Sequence, residues 1–390
     1  MNRASPEVKL EIDLGYPDTK AFFAIDRLVG GTSWGGLRIV PDGSLQEALL
    51  NARAMTQKCG FVGIKRGGAK LVLQLPSAFQ SHRQEIVRNL GKELAPFLRT
   101  GKWIPGLDMG CTIEDIRDLF RGADMERDLS GWKDIAPFYT ALSVYYSTLA
   151  ALESLATSIG GKRFAVQGFG RVGVEYCKLI SDAGAILVAI STSRGALYNA
   201  NGLDIDSLVR RRQEEGDSFV CNYPDATMID PDTLLLLDVD VAVPCARASV
   251  IHEENWKRVT ARIIPCAANA PMELGVEERL HQSGKIVITD FVANCGGVFG
   301  STLERYLDVS EIRTILQTTY FRKVRRIIDE SRKSTRSVGV IALETVTEHL
   351  QHSDTIFGQL PYRFGPVVLS CMPDFLRRKS IQRFCTSQFF

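Results

Sequence analysis

"RFAVQGFGRVG", residues 163–173, carries the reading on which the fold turns. "RFAVQ" is a short apolar strand, and "GFGRVG" places Gly168, Gly170 and Gly173 in G-x-G-x-x-G spacing. Alone that spacing says little. Here it follows a strand, opens a helix that runs to about Ala183, and leads into a second apolar strand, "AILVAI". In such a βαβ unit the first glycine permits the tight turn. The second lets the backbone approach a pyrophosphate, and the third lets helix and strand pack closely. The helix N-terminus attracts the phosphate charge. Phe169, Arg171 and Val172 fill the rest of the loop. The rival reading is a glycine-rich turn with no ligand, and the βαβ context favours a dinucleotide.

The surroundings extend the pattern. "VDVAVP", "ARIIP" and "KIVITD" are short strands, apolar on both faces, as in a parallel sheet covered by helices. A long helix, "APFYTALSVYYSTLAALESLATS", precedes the motif, and two more are expected at about 310–331 and 337–351. The second strand would ordinarily end in Asp or Glu to hold the ribose 2′-hydroxyl of NAD. It ends in "ISTSRG", with Thr192 at that place and Arg194 beside it. Loss of the carboxylate removes repulsion against a 2′-phosphate, and Arg194 could pair with one. NAD or NADP both remain, with a lean to NADP; Arg194 could equally be a solvated loop residue.

The first third mixes strands and helices. "TKAFFAID" and "GAKLVLQLP" read as buried strands, whereas "GGTSWGGLRIVPDGS" and "WIPGLDMG" read as glycine- and proline-punctuated turn and loop regions. "SLQEALLNARAMTQK" is a helix with a capping box of Ser44 and Glu47, and "CTIEDIRDLFRG" is another with Thr112 and Asp115. In "KRGGAKLVL", residues 65–73, Lys70 stands at the mouth of an apolar strand. It is either a surface residue by a turn or an amine whose basicity is useful.

Bulk properties exclude several classes. The 390-residue chain has a formal net charge of +2, so no field marks it for nucleic acid. No stretch approaches a membrane span, and the first residues lack an apolar signal region. The nine cysteines are scattered without a C-x-x-C pair, and the five histidines have no ligand spacing. No metal site is expected, and a reduced, cytoplasmic setting is.

Together, "WGGLRIVPDGSLQEALLNARAMTQKCGFVGIKRGGAK", "PGLDMGCTIEDI", "VQGFGRVG", "IIPCAANAP" and "ITDFVANCGGVFGSTLER" resemble the amino acid dehydrogenase family of glutamate, leucine, phenylalanine and valine dehydrogenases. The resemblance runs from about residue 20 to about 350, in the family's order. It implies NAD(P)-dependent, reversible oxidative deamination of an L-amino acid to a 2-oxo acid and ammonia. The implied fold class is α/β with two domains. One is a substrate and oligomerisation domain with a mixed sheet, residues 1–135, completed by C-terminal helices at about 331–390. The other is a Rossmann-type dinucleotide domain, residues 136–330, with the active site in the cleft and a homo-oligomeric assembly. It also implies roles: Lys58 for the substrate carboxylate, Lys70 as catalytic lysine, Asp108 as partner acid/base. Thr140 and Asn269 would lie by the nicotinamide. Asn294, Cys245 and Ala246 would line the cofactor, and Trp34, Gly35, Gly36, Asn269 and Ser301 the substrate.

The residues agree chemically. A substrate carboxylate wants a fixed cation, and a partly desolvated lysine near another cation can be neutral and basic near pH 7. Singly, Lys58 could be a helix-end lysine, Lys70 a strand-end residue and Asp108 a turn residue; the three in order reverse that judgement. Trp34 stands where the glutamate branch has a lysine, which favours an apolar or aromatic side chain. The unusual Lys65 and Arg66 either pair with an acidic substrate or face solvent, with a lean to solvent. Ser301 keeps glutamate as the alternative. A silent cofactor-binding paralogue is the other. Ser143, in place of a glycine, could crowd the nicotinamide.

Overall fold

In a computed structural model of the chain, residues 5–130, 135–304, 306–353 and 379–380 are described. The expectations placed on the tail after 353 lie almost wholly outside them. The described residues divide into two compact units, one of residues up to 130 with those from Thr345 to Ser353, the other running from Ile135 to Glu344.

The first unit is built on strands β1 (Val8–Asp13), β2 (Lys20–Ile25), β3 (Ser33–Val40), β4 (Gly67–Gln74) and β5 (Trp103–Leu107), in the order β1-β2-β4-β3-β5. β1 and β2 pair antiparallel, as do β2 and β4, while β3 runs parallel to both β4 and β5. Helix α1 (Leu45–Phe61) covers one face. α2 (Arg83–Glu93), the short α3 (Ala95–Arg99) and α4 (Ile113–Gly122) belong to the other, with Ile86, Leu90, Ile116 and Leu119 packed on Leu37, Leu71 and Leu73. The two covered faces explain why β4 is buried almost throughout.

Two segments expected as turns are strands. The "SWGGLRIV" glycines are not turn glycines: a Cβ on Gly35 would stand 1.6 Å from the carbonyl oxygen of Ala69 on β4. They thin a central strand so that its neighbours can close on it. Pro105 is tolerated in β5 because that strand is the sheet edge, where a missing N–H costs no ladder bond.

The second unit opens with α5 (Ala136–Ser154) and continues with β6 (Arg163–Gln167), α6 (Arg171–Asp182), β7 (Ile186–Thr192), β8 (Gly195–Tyr198), α7 (Ile205–Glu215), β9 (Thr227–Ile229), β10 (Val241–Pro244), β11 (Ile263–Pro265), α8 (Val276–Gln282) and β12 (Ile286–Ile288). The strand order is β12-β11-β10-β6-β7-β8-β9. β12 to β7 are parallel, and β8 and β9 add an antiparallel edge. α9 (Asp290–Ala293), α10 (Gly296–Leu303), α11 (Val309–Ile315) and α12 (Phe321–Arg332) follow, with a π-helical turn joining α11 to α12, and α13 (Val338–Ser353) begins in this unit and passes its boundary at Glu344. No described helix is long and apolar enough to cross a membrane.

Candidate active site

Side chains alternate along a strand, so Trp34, Gly36 and Arg38 of β3 share a sheet face with Lys70 and Val72 of β4. Val72 packs with Ala48 and Ala52, which identifies this as the α1 face. The glycine pair before Lys70 lets α1 come close: a Cβ on Gly68 would stand 2.1 Å from the carbonyl oxygen of Ala52. The Gly68 N–H instead donates to Thr56 Oγ1 at 3.0 Å. That close approach brings Lys58, in the last turn of α1, towards Lys70. Both are buried, Lys58 at 7 % and Lys70 at 3 % exposure.

Lys70 makes an ion pair with Asp108, which follows β5. β3 lies between the two strands, and the pair forms across it because Gly36 has no side chain: a Cβ there would be 2.9 Å from Asp108 Cβ. The Met109 N–H donates to Asp108 Oδ1 at 2.6 Å, fixing the carboxylate's rotation. Burial first, and then the charges of Arg38 and Lys58, hold the Lys70 amine well below the usual lysine range, while Glu47 works the other way. A lysine so placed can serve as a neutral base.

Arg38 was not among the residues expected here. Its guanidinium pairs with Glu47 of α1 and reaches Asp108 Oδ1 at 3.4 Å. Glu47 therefore does not complete the expected capping box. Ser44 Oγ accepts from the Glu47 N–H at 3.2 Å, but the Glu47 carboxylate goes to Arg38. In α4 both halves of the box form, with Asp115 accepting from Thr112 N at 2.6 Å. An arginine two residues beyond a glycine pair is a poor sequence signal, because only the sheet order shows what it faces.

Trp34 is half-buried, and the Arg66 guanidinium lies 4.8 Å above its ring. Trp34 Nε1 is buried without a hydrogen-bond partner among the described residues. Gly35 offers its carbonyl to Trp103 Nε1 at 3.0 Å.

The second unit gathers the other candidates. Gly168 has φ +105°, and a Cβ on it would stand 2.8 Å from Ala246 Cβ. Gly173 is equally constrained, its Cβ position lying 1.9 Å from the Gly168 carbonyl oxygen. Around Gly170 nothing lies within 4 Å of that position. No side chain caps α6, whose first N–H groups begin there. An open glycine before an uncapped helix fits a pyrophosphate. Phe169 is buried and its ring packs near Phe219, so it offers a ligand backbone rather than side chain. Arg171 is exposed, Val172 is half-buried, and the Cys245 N–H donates to Gln167 O at 2.8 Å.

Among the residues expected beside a nicotinamide, Asn294 Nδ2 donates to Asn269 Oδ1 and to Ala267 O, each at 3.1 Å. Asn294 Oδ1 is buried without a partner among the described residues, an acceptor suited to a ligand amide or hydroxyl. Thr140 Oγ1 donates to Ala136 O at 2.9 Å, and Gly297 packs closely on it, a Cβ there standing 2.5 Å from Thr140 Oγ1. The Ser143 hydroxyl is buried and donates to Ala293 O at 2.7 Å and accepts from Gly296 N at 2.9 Å. Ser301 is exposed on α10. It belongs to the second unit, apart from the Lys58–Lys70–Asp108 group of the first.

At the tip of β7, Thr192 Oγ1 donates to Asp217 O at 2.9 Å and Ser193 Oγ donates to Asp217 Oδ2 at 2.9 Å. A carboxylate is thus present beside the strand end, supplied from a segment that sequence spacing does not link to it. Arg212 pairs with Asp217 at 3.6 Å, and Arg194 is exposed.

Two family models match the chain. The model described as Glutamate/Leucine/Phenylalanine/Valine dehydrogenase matches residues 131–340, and that of the Glu/Leu/Phe/Val dehydrogenase dimerisation domain matches residues 6–124. A mitochondrial glutamate dehydrogenase of Dictyostelium discoideum is 31% identical over 307 residues, 72% of this chain and 61% of that protein. The match thus spans less than two thirds of that relative's length. In fold, the chain is similar to the hetero-hexameric glutamate dehydrogenase of Thermus thermophilus, Leu-bound form, with TM-score 0.76, 20% identity and 89% of each chain covered. It is also similar to the L-tryptophan dehydrogenase of Nostoc punctiforme, with TM-score 0.62, 23% identity, and 90% of this chain and 97% of that one covered.

Proposed function

The chain belongs to the glutamate/leucine/phenylalanine/valine dehydrogenase family, and from that premise we propose that it catalyses NAD(P)-dependent, reversible oxidative deamination of an L-amino acid. The observation that carries the reading is the buried Lys70 paired with the half-buried Asp108, with Lys58 beside it. When bound, the nicotinamide would supply the acceptor for a hydride from the substrate Cα. Lys58 binds the substrate carboxylate. Lys70, as the free amine, takes a proton from the water that attacks the iminium carbon. Asp108 moves a proton on and off the departing nitrogen. Asn269 and Asn294 would hold the amide end of the cofactor, and the α6 N-terminus would hold its pyrophosphate.

Trp34 supports an apolar or aromatic substrate side chain. Glutamate is the second reading, and its observation is the Arg66 guanidinium over Trp34. Asp217 supports NAD, against the direction Thr192 and Arg194 suggest alone. The dimerisation-domain match supports a homo-oligomer built through the first unit. The described cysteines, all free, support a reducing, cytoplasmic setting.

The test is a panel of L-amino acids against NAD and NADP, followed by absorbance of the reduced cofactor, with wild type and Lys70→Ala. Turnover that Lys70→Ala lowers by about a hundredfold or more supports the reading. Cofactor binding with no turnover of any amino acid would replace it with a silent paralogue.

A further inference from the structure

Four charged groups face the Lys70 amine from every element packed on it: Asp108 from the turn after β5, Arg38 from β3, and Lys58 and Glu47 from α1; the Cys111 thiol is the remaining titratable neighbour. One of these groups, Arg38, touches both an active-site residue and a fixed counter-charge. Arg38 bridges Asp108 and Glu47, and its side chain is 14% exposed. The two ends of that bridge come from distant places. Glu47 is in the first turn of α1, with its backbone anchored on Ser44. Asp108 is at the sheet edge, with its carboxylate also held by the Met109 N–H. A guanidinium suits this task because its nitrogens are arranged in a rigid fork and it does not lose its proton at any working pH.

We propose that Arg38, anchored by Glu47, is the positioning residue of this site. It aligns the Asp108 carboxylate against the Lys70 amine and stays its charged partner when the amine gives up its proton. This rests on the reading of Lys70 and Asp108 as the acid–base pair.

The physical need is clear from the cycle. When Lys70 is protonated, Asp108 has a cation against it. When Lys70 is neutral, the half-buried carboxylate would lose that charged partner and keep only the neutral Met109 N–H and the Arg38 guanidinium. Arg38 supplies a constant positive charge, and the same charge disfavours a second one on Lys70. Glu47 tempers this effect, because its negative charge acts on Lys70 in the opposite sense. Arg38 and Glu47 therefore act on one amine with opposite signs, from a bridge whose other end holds the Asp108 carboxylate. The diversion of Glu47 from its capping box fits this use.

The experiment reads Lys70 directly. Each folded protein is labelled with trace acetic anhydride across a pH series, and the Lys70 peptide is quantified by mass spectrometry, with Lys70's labelling midpoint as the readout. Arg38→Gln should raise that midpoint by about one pH unit, and Glu47→Gln should lower it. Arg38→Lys, which keeps the charge but not the fork, should restore the midpoint while leaving kcat low. A midpoint that moves the same way in Arg38→Gln and Glu47→Gln, or in neither, overturns the proposal. If Arg38→Gln fails to fold, Glu47→Gln alone still decides, since only a lowered midpoint supports it. Opposite shifts in a protein that turns over no amino acid leave Arg38's electrostatic role standing and count against the dehydrogenase reading.

Discussion

Lys70 and Asp108 are paired across a strand that belongs to neither: β3 runs between them, and the gap is the hydrogen of Gly36. A methyl group there meets Asp108 Cβ at 2.9 Å and the Leu107 carbonyl oxygen at 3.1 Å. Gly36→Ala should therefore push the carboxylate off the amine without emptying the core. We expect kcat/KM to fall by about a hundredfold, the scale associated with a misplacement near 1 Å. Steady-state kinetics beside a melting curve would check it. Wild-type kinetics would mean that the pair is not needed.

The phosphate loop offers a contrast between two glycines. Gly173→Ala places a Cβ 1.9 Å from the Gly168 carbonyl oxygen, so it should lower the melting temperature. Gly170→Ala meets nothing within the protein, so it should melt like wild type. It should still weaken binding of the reduced dinucleotide by about tenfold, some 1.4 kcal/mol, because the methyl group stands where the backbone approaches the phosphate. Fluorescence titration of NADH would measure this, and unchanged affinity would remove the loop from the cofactor site.

Cofactor choice should follow Asp217. Its carboxylate accepts from Ser193 at the tip of β7 and would accept from a ribose hydroxyl but repel a 2′-phosphate. We expect NAD to bind at least about tenfold more tightly than NADP. Asp217→Ala should narrow or invert that ratio by freeing Arg212, which pairs with it. Equal ratios before and after substitution would assign the choice to other residues.

Glu277 gives a pH dependence of stability outside the chemistry. Burial pushes its carboxyl up to about 7, although Thr289 and the N–H of Gly339 both favour the charged form. The Gly339 N–H donates to Glu277 Oε1 at 3.0 Å, near the start of α13. With the folded value raised, the folded state holds a proton that the unfolded state has released between about 4.5 and 7. Stability from this group is therefore present at the low end of that window and is lost as pH rises through it. Glu277→Gln should remove the loss, so the melting temperature of the variant relative to wild type should increase from pH 5 to pH 8. A difference that is constant with pH would show that the carboxyl titrates normally.

The loop glycines, the α1 and α4 N-caps and the apolar strands of the second unit could all be read locally, because each depends on residues close in the chain. The β3 and β5 strands could not. Their glycines and proline have the composition of turns, and their strand character comes from a neighbouring backbone that needs the space of a missing side chain, or from an edge that needs no donor. The Glu47 side chain was misassigned for a related reason: the nearby capping role was visible, whereas the competing guanidinium belonged to another element.

Local spacing in the amino-acid sequence was sufficient to specify a Rossmann-type βαβ unit, since the turn, the close approach and the helix start all lie within one short loop. Which charges surround Lys70 was decided only by tertiary structure. The order β4-β3-β5 and the seat of α1 on Gly68 bring together Asp108, Arg38, Glu47 and Lys58. Coulombic interaction depends on distance through space, and separation along the chain does not encode it.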